Sequence, residues 1–225
     1  MTEEEIPLGG GWSTGGVVRV GETVRRPSVH ATQTMRDILV HLEAVGFDEA
    51  PRWLGLDAQG RDVLTYVHGD TYSDCRGIVW QDDQLTASAA LLRRYHDATA
   101  GSPLAGGREV VCHGDFGPWN LIWRDGLPVA LIDFDNARPG ARVEDVGYAL
   151  RAHLNLSLAV ITPDEQARRA AVFVAGYGLP IHPASALDAE YDAAEERCRS
   201  NGWLKELARL GDERRWLDRH RALLR

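Results

Sequence analysis

The sequence predicts an α+β protein of two unequal lobes, a small antiparallel sheet lobe over residues 1–69 and a larger, mainly helical lobe over 70–225. Three observations predict it. Short strand-like runs punctuated by glycine crowd the first 70 residues around a single helical pattern. His68-Gly69-Asp70 breaks that rhythm. Beyond it, apolar residues recur mostly at helical spacing, interrupted by one strand-like run and one hairpin signal.

Each element has its own signal. The glycine-rich stretch 9–16 precedes Val17–Val20, and Gly21-Glu22 turns the chain into Thr23–Arg26, which Pro27 ends. From about Thr32, Met35, Ile38, Leu39, Leu42 and Val45 share a helix face that Gly46 is placed to stop. Arg52–Leu56 and Asp62–Val67 read as strands joined near Gln59-Gly60. In the second lobe, Leu85, Leu91, Leu92 and Tyr95 mark a helix over 84–99, and Glu109–Cys112 reads as a strand. Asp125-Gly126 joins Leu121–Trp123 to Leu127–Ile132, and Pro139-Gly140 closes that segment before a helix from about Val143. Thr162-Pro163-Asp164-Glu165 is a helix start with a capping threonine and proline in the first turn, and the remainder reads as helical.

With 44% hydrophobic and 26% charged residues in 225, the chain is neither disordered nor fibrous. Asp and Glu outnumber Lys and Arg 33 to 25, for a net charge of −8, which argues against a nucleic-acid clamp. No apolar run approaches the roughly 20 residues of a membrane helix, and MTEEEIPLGG lacks the basic and apolar regions of a signal peptide. The expectation is a cytoplasmic protein without nucleic-acid or membrane partners. Cys75, Cys112 and Cys198 form no CxxC pair, so neither a disulfide framework nor a zinc knuckle is expected. Lys205 is the only lysine, and no glycine loop precedes it, which excludes a GxxxxGK[ST] phosphate loop.

The stretch VCHGDFGPWNLIWRDGLPVALIDFD (111–135) carries the chemistry. It places Asp115 and Asn120 on one loop and Asp133 at the end of the neighbouring hairpin, with His113 leading in. Phosphoryl transfer needs one carboxylate to orient an acceptor hydroxyl and take its proton, and oxygen ligands to hold Mg²⁺ against phosphates. These three side chains supply that set.

The HGDFGPWN…LIDFD series resembles the aminoglycoside phosphotransferase family, whose fold is similar to that of protein kinases; Tyr95-His96-Asp97 resembles the end of that family's preceding helix. The resemblance implies that Asp115 is the catalytic base and that Asn120 and Asp133 hold Mg²⁺. It also implies ATP or GTP as phosphate donor and a small hydroxyl-bearing molecule as acceptor. Asp135 is either a contact for a second ion or a turn aspartate. His113 is expected to support the loop by hydrogen bonding, and Asp145 resembles the family's buried anchor of the loop backbone. Trp119 either packs under the loop or faces the acceptor.

The first lobe departs from the family pattern. Kinase-like enzymes grip the donor phosphates with a strand lysine paired to a helix acid, and no lysine exists there. Arg25 or Arg26 is expected in its place, with Asp37 or Glu43 as helix partner. Gly10, Gly11 and Ser13 fit a phosphate-covering hairpin without matching GxGxxG, and Tyr66 and Val67 resemble the hinge that holds the nucleotide base. The acidic run Asp188–Glu196 reads as a solvated helix face or as the wall of a pocket for a cationic acceptor. Two rivals stand beside the transferase reading. Leu131–Asp135 suits a haloacid-dehalogenase-type phosphatase, but Asn136-Ala137 follow and HGDFGPWN goes unexplained. A non-catalytic kinase-like binder, regulatory or immunity protein is motivated by the missing lysine and opposed by the intact Asp115, Asn120 and Asp133.

Overall fold

A computed structural model describes residues 4–9, 15–28, 32–156, 158 and 160–224. The first lobe is one antiparallel sheet: β1 (Ile6–Pro7), β2 (Val18–Val20), β3 (Thr23–Arg26), β4 (Trp53–Leu56) and β5 (Asp62–Thr65), in the order β1-β2-β3-β5-β4. β1 is an addition to the expected set. It pairs antiparallel with β2, and the pairing is extended by Leu8 N–H to the Val17 carbonyl at 3.0 Å. Helix α1 (Thr32–Ala44) follows β3 and buries Met35, Ile38, Leu39 and Leu42 against the sheet and the second lobe.

Val45 does not continue that face; it is half exposed, and Phe47 is buried instead. Gly46, at φ +75°, reverses the chain so that Gly46 N–H reaches the Glu43 carbonyl and Phe47 N–H the Leu42 carbonyl. The helix ends at Ala44, and the next apolar residue returns to the core through the turn.

The second lobe holds α2 (Asp82–Thr99), β6 (Val110–Cys112), the hairpin β7 (Leu121–Arg124) and β8 (Leu127–Leu131), β9 (Arg138–Gly140), α3 (Arg142–Leu154), α4 (Pro163–Tyr177), α5 (Pro183–Asn201) and α6 (Leu204–His220). α2 buries the expected face of Leu85, Leu91, Leu92 and Tyr95 completely. Asp125 and Gly126 both take positive φ, as a two-residue turn of this hand requires. Thr162 accepts the Glu165 N–H, with Pro163 in the first turn of α4. Pro139-Gly140 is more than a closing turn: with Arg138 it forms β9, antiparallel to β6. That pairing joins residues nearly thirty apart, so local patterning carries no trace of it.

The lobes meet at residues 66–81. Asp70 exchanges both backbone hydrogen bonds with Trp123 of β7, at 2.8 and 2.9 Å. Gly69 permits this approach: a Cβ there would lie 2.5 Å from the Ile122 side chain and from the Trp123 carbonyl, at φ +147°. Trp80 stacks on Trp123 at 4.6 Å between ring centroids, joining the segment before α2 to the hairpin.

Candidate active site

β6 delivers His113-Gly114-Asp115, and the first turn of α3 fixes their path. The Asp145 carboxylate is almost fully buried and accepts the N–H of His113, the N–H of Gly114 at 2.9 Å and His96 Nε2 at 3.0 Å. Burial alone would raise its pKa; the His96 hydrogen bond and charge, with His113 and the Gly114 N–H, outweigh burial and hold the carboxyl below its ordinary value. Gly114, at φ +76°, lets this loop touch the segment after Asp133, since a Cβ would sit 2.3 Å from the Asn136 carbonyl oxygen. His113 Nε2 donates to the Ile132 carbonyl at 3.0 Å, tying the loop to the residue before Asp133.

Asp115, Asn120 and Asp133 converge. Asn120 Nδ2 donates to the backbone carbonyl and to Oδ2 of Asp115, both at 2.9 Å, and the Asn120 carbonyl accepts the Ile132 N–H at 2.9 Å. With its amide nitrogen committed, Asn120 presents its side-chain oxygen as the remaining group. Asp133 takes a left-handed backbone conformation, φ 66°, and its Oδ1 is buried without a hydrogen bond. Burial, and then the charge of Asp135, push its pKa up. An under-neutralised carboxylate beside an amide oxygen is a hard-donor set that suits Mg²⁺.

Across the interlobe cleft lies a cavity of about 460 Å³, walled by Val24, Leu64 and Met35 of the sheet lobe and by Ile122, Ile132 and Phe134 below. Tyr66, Val67, Arg26, Asn120 and Asp133 all line it. Gly10, Gly11 and Ser13 lie outside the described residues. Strand alternation separates the two candidate arginines. Arg26 is buried and hydrogen-bonds Asp135, with its second terminal nitrogen 3.8 Å from Asp133 Oδ1. Arg25 points to the other side of the sheet, where its Nε lies 3.8 Å from Asp57.

Both helix acids are spent elsewhere: Asp37 accepts from Gln33, and Glu43 pairs with Arg52. The link between helix and sheet runs the other way, from Arg36 of α1 to the fully buried Asp62 of β5 at 2.7 Å. No acid of α1 is therefore placed as the expected partner. Four of the five acids of the α5 run are likewise paired with arginine, Asp188 with Arg221, Glu190 with Arg151 and Arg197, Asp192 with Arg214, and Glu195 with Arg199, whereas Glu196 accepts from Ser200.

Two donors to the proposed base were not foreseen. Tyr148 Oη donates to Asp115 Oδ1, which also accepts Trp119 Nε1 at 3.3 Å. Burial first, and the Asp115 charge second, hold the Tyr148 phenol well above its ordinary pKa, so it remains a donor. Tyr148 lies three residues after Asp145 on α3, so helical spacing points both toward the same loop. Trp119, left between two roles, lines the cavity and contacts Asp115.

Comparison with known proteins follows the same lines. The protein is 36% identical over 174 residues to the trifolitoxin immunity protein of Rhizobium leguminosarum bv. trifolii. That match takes in 70% of this chain and 64%, less than two thirds, of the relative's length. Aminoglycoside phosphotransferase APH(3'')-Id of Streptomyces rimosus, solved with ADP and streptomycin, superposes with a TM-score of 0.56 at 18% identity, over 83% of this chain and 88% of that one. A choline/ethanolamine kinase family protein of Mesorhizobium loti does so with a TM-score of 0.60 at 14% identity, over 100% and 93%. At such identities these structures establish a shared fold, the two-lobed kinase-like one. The sequence profile of the phosphotransferase enzyme family matches residues 79–197, more than half of the chain and the whole of the Asp115–Asn120–Asp133–Asp145 arrangement, and the chain belongs to that family.

Proposed function

We propose that this protein moves the terminal phosphate of ATP or GTP to a hydroxyl of a small molecule. Residues 1–69 would hold the nucleotide, and residues 70–225 would supply the catalytic groups and the acceptor site. The observation that carries the reading is the meeting of Asp115, Asn120 and Asp133 beside a cavity of nucleotide-binding size. The nucleotide base would lie against Tyr66 and Val67, with Arg26 on the phosphate side. Asn120 and Asp133 would hold Mg²⁺, which would supply positive charge against the phosphates while the phosphorus–oxygen bond to the leaving nucleotide breaks. Asp115 would accept the acceptor's hydroxyl proton while its oxygen bonds to phosphorus. Tyr148 and Trp119 position that carboxylate through Oδ1 and Asn120 through Oδ2, and an acceptor hydroxyl would share one of these oxygens with them.

The acceptor's identity rests on less. Because four of the five α5 acids already pair with arginine, they would give a polycationic aminoglycoside little added attraction. A turnover screen with Mg·ATP and Mg·GTP against aminoglycosides, macrolides, amino alcohols and sugars tests the reading. In Asp115→Asn, kcat is expected to fall about 10²–10⁴-fold while nucleotide affinity holds. Full activity in that variant would remove Asp115 as the base.

A second reading is favoured by the immunity-protein relative: the chain protects its host by holding a toxic ligand, with no phosphate transfer. The same variant separates the two. Cells carrying Asp115→Asn stay protected against trifolitoxin if holding suffices, and lose protection if transfer is required.

A further inference from the structure

We propose that the Arg26 guanidinium is a built-in cation standing where a second divalent ion would otherwise sit, so that the nucleotide complex of this chain holds one such ion. The inference rests on the donor reading above. Among the described residues, Arg26 is the only basic side chain that lines the cavity. It faces two acids at once, bonded to Asp135 and 3.8 Å from Asp133. A planar fork can address both carboxylates from one position, which a lysine ammonium, a single point of charge, does less well.

Burial makes the arrangement hard to exchange. The Arg26 and Asp135 side chains are 10% and 18% exposed, so the pair is poorly screened by water. A divalent ion entering at Asp135 would have to evict a guanidinium into a site with little solvent to receive it. The α1 acids that might receive it are committed elsewhere, Asp37 to Gln33 and Glu43 to Arg52.

The charge count agrees. Two carboxylates against one guanidinium leave a single negative charge, and one oxygen of each, Asp133 Oδ1 and Asp135 Oδ1, is buried without a hydrogen bond. Asp133 lines the cavity together with Asn120, and the remaining charge calls for one cation at those two residues. Asp135, read from sequence as either a second-ion contact or a turn aspartate, instead becomes the anchor of Arg26. The missing lysine and the doubled acid of Asp133-Phe134-Asp135 then belong to one device: a guanidinium fixed in the chain carries the charge that a second ion at Asp135 would bring.

Mn²⁺ titration followed by electron paramagnetic resonance tests this on the full chain. Protein is held in excess over a non-hydrolysable ATP analogue, and the measurement is repeated with the GTP analogue. The nucleotide alone carries one Mn²⁺, so a second tightly held ion reports a site built by the protein. The expected count is one Mn²⁺ per bound nucleotide in the wild type and two in Arg26→Ala, where Asp135 is released. Two ions in the wild type overturn the proposal. So does one ion in a folded, nucleotide-bound Arg26→Ala. If that variant does not fold, the wild-type count alone decides. Failure of the wild type to bind either analogue brings down the donor reading itself, and this inference with it.

Discussion

Asp145 in the helical lobe and Asp62 in the sheet lobe are both sealed from solvent, yet they tie down different things. Two of the three donors to Asp145 are backbone N–H groups of the loop that carries Asp115. All the donors to Asp62 are side chains from separate elements: Ser28 after β3 at 2.9 Å, Arg36 of α1 at 2.7 Å and Trp53 of β4 at 2.9 Å. An acid that grips backbone fixes the path of the chain whatever side chains stand there. An acid that grips side chains fixes how elements pack. The half of the site that would do chemistry is thus held within its own lobe, whereas the donor half depends on α1 staying against the sheet and on Arg26 reaching across the cleft.

The largest expected effect comes from removing the backbone grip. Asp145→Ala leaves two buried N–H groups and His96 without their acceptor, and should cost about 3–5 kcal/mol of stability in urea unfolding. Turnover should fall further than the loss of folded protein accounts for, because the loop bearing Asp115 is then unanchored. A stability loss under about 1 kcal/mol, the size of an exposed ion pair, would break the contrast between the two aspartates.

The same contrast explains what the sequence disclosed. Asp115, Asn120, Asp133 and Asp145 lie within one continuous stretch whose strands and helix are locally patterned, so their spacing reports their meeting. α2 was legible for the same reason, as its buried face repeats without interruption. The sheet lobe withheld more. Choosing Arg26 over Arg25 requires the pairing of β3 with β5, and the Arg36–Asp62 bond joins residues 26 apart with no motif to announce it. β9 is invisible to period, and Val45 continues a helical pattern that Gly46 has already ended.

Acid should separate the lobes further. His153 is buried in α3, stacked 6.1 Å from Phe116 next to Asp115, and burial lowers its pKa to about 4 from 6.5. Its stability contribution is complete above pH 6.5. As pH falls from there toward 4 the unfolded chain takes a proton that the folded chain refuses, at a cost of about 3 kcal/mol. Asp145 and Asp62 both have lowered pKa values, so their contributions persist above the ordinary carboxylate range and fade only below it. The helical lobe should therefore soften first. In His153→Phe, which keeps the stacking, unfolding free energy measured from pH 7 to 4 should lose most of its slope; an unchanged slope would place the acid sensitivity elsewhere.

The smallest effect is expected where side chains do the gripping. Asp62→Asn keeps the shape and an oxygen for Trp53 or Ser28 but withdraws the charge facing Arg36. Arg36 remains partly exposed, so its guanidinium can find water, and the loss should be about 1.5–3 kcal/mol, below that of Asp145→Ala. The two variants should also differ in kind. Asp62→Asn loosens the seat of α1, whose Met35 and Leu39 line the nucleotide cavity, so the KM for nucleotide should rise while kcat holds. Asp145→Ala should lower kcat. If Asp62→Asn instead lowered kcat with nucleotide affinity intact, the sheet lobe would be shaping the chemical step, and the division of labour between the two buried acids would be wrong.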